Sequence, residues 1–64
     1  MKRRQFLQYL SQQGCEIVGE GANHTRVRNT NNGLRSFVPR HREIKPSLIR
    51  TICKQLDIPV PAAR

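Results

Sequence analysis

The chain has 64 residues, with twelve Lys+Arg against four Asp+Glu, a net charge of +8 and a sequence pI near 11.2. A chain of this length makes one domain with a thin core, burying only about 60% of its unfolded surface, and its charge calls for an anionic partner: nucleic acid, a membrane surface or an acidic protein. No run is apolar for long enough to form a transmembrane helix, and the two cysteines, Cys15 and Cys53, are too few and too far apart for a disulfide framework.

From Lys2 to Gln13 the apolar residues fall at helical spacing. Phe6, Leu7 and Leu10 form one stripe with Tyr9 at its edge. Gly14 follows the last periodic residue and stops the helix. Lys2, Arg3 and Arg4 stand in its first turn, where cations oppose the helix dipole. This placement suits either a phosphate contact or a frayed terminus. Cys15 to Glu20 reads as a short strand built on Ile17 and Val18, and Gly19-Glu20-Gly21 as a turn. The glycine pair has no third glycine and no helix after it, so it is not a dinucleotide fingerprint.

A second strand spans about residues 23–29. Thr30-Asn31-Asn32-Gly33 is a hairpin signal, since Asn-Gly suits the positive φ angles of a tight turn. A third strand runs over about residues 34–38 and stops at Pro39. Arg40-His41-Arg42-Glu43 is a polar, basic connection. Pro46 suits the first turn of a helix, and Leu48, Ile49, Ile52, Cys53 and Leu56 then recur at helical spacing. Pro59 and Pro61 end that helix. Residues 1–58 are therefore read as one domain and 59–64 as a C-terminal tail, loose from Val60 to Arg64.

The order α-β-β-β-α predicts an α+β fold in which both helices cover one face of a three-stranded antiparallel sheet. The other face stays in water. Side chains alternate along a strand, so Thr25 and Val27 should point under the helices and His24, Arg26 and Arg28 outwards. For the third strand, either Leu34/Ser36/Val38 or Arg35/Phe37 faces inwards. The first set is favoured, because an inward Arg35 needs a buried partner. Phe37 then lies beside the basic strip, either as a stacking surface for a base or in ordinary edge packing.

The outward strip places one titratable proton carrier beside two permanent cations. Nine of the twelve cations are Arg, which favours bidentate phosphate contacts. Lys2, Arg35, Arg40, His41, Arg42, Lys45 and Arg50 extend the candidate nucleic-acid-binding set, with Arg40, Arg42, Lys45 and Arg50 as a second basic cluster for phosphate contacts or a solvated face. Contacts of that kind position a substrate without selecting sequence, so weak sequence preference is expected. Cys15, Cys53, His24 and His41 include no pair at finger-like spacing, and no metal or other cofactor is expected. The start Met1-Lys2-Arg3-Arg4 looks like a signal n-region, but Gln5, Gln8, Gln12 and Gln13 interrupt the apolar segment that should follow. The expected location is the cytoplasm. A membrane-surface role fits poorly, because the cations accompany strands rather than one long amphipathic helix.

Four features give the chain a family resemblance. A short N-terminal helix ends in Gln13-Gly14. Gly21-Ala22-Asn23-His24 opens the second strand. Val38-Pro39-Arg40-His41 follows the third. Glu43-Ile44-Lys45 leads into the helix Leu48-Ile49-Arg50-Thr51-Ile52-Cys53-Lys54-Gln55-Leu56. In this order the chain resembles the HicA toxins of bacterial type II toxin–antitoxin modules over about residues 1–58. Ala22 departs from the pattern, since a serine is common there. The resemblance implies a double-stranded-RNA-binding-like fold, an mRNA-cleaving activity independent of the ribosome, and a HicB-type antitoxin as partner. It also implies that His24, the histidine of the Gly-x-x-His motif, is the catalytic residue. The roles of Arg26 and Arg28 come from strand alternation alone: holding the oxygens of the reacting phosphate. His41 is either a second acid for catalysis or a loop contact to phosphate or antitoxin. A non-catalytic RNA-binding module with the same fold is the alternative.

Overall fold

A computed structural model describes residues 1–62. The elements are α1 (Arg3–Gln12), β1 (Cys15–Glu20), β2 (His24–Asn29), β3 (Arg35–Pro39) and α2 (Pro46–Leu56). The sheet has the order β1-β2-β3 with both pairs antiparallel. This is the expected α-β-β-β-α architecture. The helices cover the face carrying Thr25, Val27, Asn29, Ser36 and Val38, all buried. The opposite face is open. It carries His24, Arg26, Arg35 and Phe37, which are exposed, and Arg28, which is half-buried.

The core joins Phe6 and Leu10 of α1 to Ile49, Ile52, Cys53 and Leu56 of α2 across Cys15, Val27, Val38 and Ile44. Each large apolar side chain removed from water contributes about 1.5–3 kcal/mol. With so few of them, polar ties between elements matter more than in a larger domain. On β3 the favoured alternation holds at Ser36 and Val38. Leu34 precedes the strand and is exposed.

The chain departs from the sequence reading in three places. The N-terminus is pinned rather than frayed. Arg3 N donates to Arg42 O, Ile44 N donates to Met1 O (both 2.8 Å), and Lys2 bridges Glu43. Gly19 is not in a turn. It belongs to β1, where the register with β2 shifts between Ile17 and Gly19, a β-bulge. The turn itself is Gly21-Ala22-Asn23, closed by Gly21 N donating to His24 O at 2.8 Å.

The β2–β3 connection is wider than a two-residue turn. Asn29 N donates to Leu34 O and Gly33 N to Asn29 O, and Gly33 takes φ +78 while Asn32 keeps a negative φ. Asn32 instead uses its side chain, accepting from Leu34 N and donating to Leu56 O, the end of α2. Of the expected tail, Pro59 O accepts a hydrogen bond from the Tyr9 hydroxyl and Val60 is exposed. Its last two residues, Ala63 and Arg64, lie outside the described residues.

Candidate nucleic-acid interface

His24 opens β2 at the edge of the open face, opposite Pro39. Its ring meets the Phe37 ring edge-on, with centroids 5.9 Å apart and planes at 70°. Phe37 is 57% exposed, although large aromatic side chains are normally the first to be buried in a small core. Arg26 pairs with Phe37 on one side and Gly19 on the other. A Cβ built on Gly19 would stand 3.1 Å from Arg26 Nε and 3.2 Å from Nη2. The guanidinium therefore lies against β1 at Gly19, where an added Cβ would push it aside.

Arg28 shares the face but is already engaged. Its Nη2 sits 2.8 Å from Glu16 Oε2, and its Nε is enclosed without a partner. Four residues of strand, about 13 Å, separate it from His24. One phosphate cannot sit against both without a long reach from Arg28. Arg26, two residues from His24, is the nearer cation along β2.

A polar knot holds the corner from which His24 projects. Glu20 Oε1 accepts from Thr25 Oγ1 and from Arg40 Nη1, both at 2.8 Å. Thr25 Oγ1 accepts in turn from Arg3 Nη2, and Arg3 Nε donates to Pro39 O at 3.2 Å. Arg40 N donates to Asn23 O at 3.2 Å. One carboxylate thus ties α1, both strands of the hairpin and the segment after β3 around the His24 turn. The sequence reading did not single out Arg3, Thr25 or Glu20 as a set. The only signal was a carboxylate between two glycines in a strongly basic chain.

The remaining candidates divide by place. Arg35 lies on the open face opposite Arg28. Lys2, Arg40, His41, Arg42 and Lys45 are exposed at the end of the sheet where β3 leaves and the N-terminus returns. They continue the basic surface outward from the His24 corner. Among the described residues, no hydrogen bond or ring contact joins His41 to His24. Arg50 is exposed on α2, in the helical layer rather than on the open face, and is not brought together with the others. Cys15 and Cys53 are free and buried in the core, and burial pushes both thiols above their ordinary pKa.

The family model of the HicA toxin of bacterial toxin–antitoxin systems matches residues 3–58. The chain belongs to the HicA toxin family. The match runs from the first residue of α1 to two residues past α2, so it takes in the whole open face. Membership makes the chain a toxin of a toxin–antitoxin module and implies an antitoxin partner. Comparison with curated proteins and with solved structures gives no significant match. Among the described residues of this HicA chain, no helix is long and apolar enough to cross a membrane.

Proposed function

We propose that this HicA chain is an endoribonuclease that cleaves mRNA in the cytoplasm and so blocks translation and growth. Its activity resides in residues 1–58 and is held in check by a HicB-type antitoxin that covers His24. The observation that carries this reading is the placement of His24. A solvent-facing imidazole stands on the uncovered face of the sheet, with Arg26 on the same face and a basic surface continuing past Arg40. Strand residues bring the proton carrier and the cations to one side, while the helices protect the other.

The reaction needs only proton transfer and charge stabilisation. His24 takes the proton of the ribose 2′-hydroxyl. The 2′-oxygen then attacks the adjacent phosphorus, and the bond from phosphorus to the 5′-oxygen breaks. The leaving oxygen takes a proton from solvent or from His41. Arg26 stabilises the charge that builds on the phosphorane oxygens, and Arg28 holds a neighbouring phosphate once RNA displaces Glu16. Arg40, Arg42, Lys45 and Lys2 are assigned to the RNA backbone beyond. The products are a 2′,3′-cyclic phosphate and a 5′-hydroxyl end, and DNA is inert because it lacks the nucleophile. An acidic antitoxin would associate quickly with such a surface through charge steering.

The test compares wild type with His24→Ala on the same RNA. Cleavage should vanish in the variant while RNA affinity stays within a few-fold. Persistent cleavage removes His24 as catalyst. A wild type that binds RNA and never cuts it makes the chain a non-catalytic binding module.

A further inference from the structure

The geometry points to a subsite for one nucleobase in the cleft between β1 and β3 on the open face, selective for bases with an acceptor edge, guanine or uracil. This rests on the reading of the open face as an RNA surface. The cleft has a volume of about 340 Å³ and is lined by Val18, Arg26, Arg35, Ser36 and Phe37. That is the lower end of the range for small-ligand sites, ~300–1,000 Å³, and suits a single planar group.

The walls define the ligand. Phe37 and Val18 are both apolar and exposed. An exposed aromatic of this kind offers a surface on which any base can stack. The edge-on contact with His24 fixes how the two rings stand to each other. Stacking alone would select nothing. The polar groups of the cleft are less tolerant. Arg26 and Arg35 present guanidinium N–H groups, which donate and never accept. Glu16, the carboxylate on this face, is held by Arg28 at 2.8 Å. Ser36 is buried, with its hydroxyl donating to Gln55 on the helical side.

A base that turns an amine toward this rim leaves its donors unmatched. A base that presents the O6 and N7 of guanine, or the O4 of uracil, meets a donor on each side. The adenine and cytosine amines are the wrong complement. Arg26 stands two residues from His24 on one strand, about 7 Å along it. The base in the cleft therefore belongs to a nucleotide next to the cleaved linkage. Backbone contacts elsewhere remain indifferent to sequence, so the preference amounts to one base.

The experiment uses the wild-type protein and 2′-O-methyl pentaadenylate, which has no free 2′-hydroxyl to attack, with A, C, G or U as the central base. Affinity is read by fluorescence anisotropy at low salt. Guanine and uracil should bind at least ~5-fold tighter than adenine and cytosine, the lower end of the discrimination expected from paired donors. Phe37→Ala should weaken all four by about 10-fold through lost stacking. Arg35→Gln supplies an acceptor beside a donor, and should raise adenine relative to guanine by about 5-fold. Equal affinity for the four bases overturns the proposal. So does an Arg35→Gln effect that is the same for all. If the wild type fails to cut RNA while the base dependence stands, the endoribonuclease reading falls and the subsite remains.

Discussion

Arg26 owes its position to a residue with no side chain. Its guanidinium lies against Gly19, and an added methyl would press on Nε and Nη2 at 3.1 and 3.2 Å. The atoms that must move are the far end of a flexible side chain, and Gly19 does not hold a left-handed φ. Gly19→Ala should therefore leave stability unchanged or raise it by about 0.5 kcal/mol, by restricting the unfolded chain. Cleavage by the same variant should fall by about 10-fold or more if Arg26 stabilises the transition state. Thermal melting and single-turnover cleavage check the two halves. A variant that melts earlier and cuts normally would show Gly19 to be merely structural. The face on which Arg26 lies was legible from strand alternation alone. Its seat against Gly19 was not, and neither was the capture of Arg28 by Glu16. Both depend on how β1 is registered against β2, and no local pattern encodes that register.

Register is decided at the level of the β1–β2 hairpin. Continuing the Ile17–Val27 pairing without a bulge would set Gly19 opposite Thr25 and Glu20 opposite His24. The observed shift sets Gly19 opposite Arg26 and Glu20 opposite Thr25. A carboxylate that would stand beside the imidazole is moved into the polar knot beneath the turn. Thr25 is the joint of that knot, accepting from Arg3 and donating to Glu20 while fully buried. Thr25→Val keeps the shape and removes both bonds. It leaves a half-buried guanidinium short of a partner, and should cost about 1–3 kcal/mol. The urea midpoint should drop at constant slope, and Thr25→Ser should recover most of the loss. An unchanged midpoint for the valine variant would show that the knot contributes nothing. The strands and helices themselves were readable, because periodicity and punctuation by Gly and Pro are local. The extra bulge residue, the way Asn32 ties the Thr30–Gly33 loop to α2 and the pinned N-terminus were not. Each answers to a partner distant in sequence: Arg26 for the bulge, Leu56 for Asn32, and residues 42–44 for the first three residues.

At the scale of the molecule, the carboxylates are largely spent inside the structure. Glu16, Glu20 and Glu43 pair with Arg28, Arg40 and the N-terminal amine. The surplus of positive charge is left to the surface, and binding led by phosphates should be steep in salt. Five phosphate contacts on a single strand predict about a 100-fold loss of affinity between 50 and 200 mM salt. A flat response in a titration of the His24→Ala protein would exclude recognition led by the backbone. The core sets a second dependence, at alkaline pH. Burial raises the pKa of Cys15 and Cys53, and of Tyr9, with the neighbouring cysteine thiolate adding to the shift at Tyr9 and Cys53. A group whose folded pKa exceeds its unfolded value contributes stability that is complete below the unfolded pKa. That contribution is lost as pH rises through the folded pKa. For the thiols the loss begins near about 8.5 and for the phenol near about 10. Below that range these groups leave stability independent of pH. The urea midpoint should accordingly fall from pH 8 to pH 10. The fall should flatten in a Cys15→Ala, Cys53→Ala double variant, although that variant starts from a lower midpoint because of the cavities it leaves. Parallel slopes for the two proteins would show that the buried thiols do not set the alkaline limit.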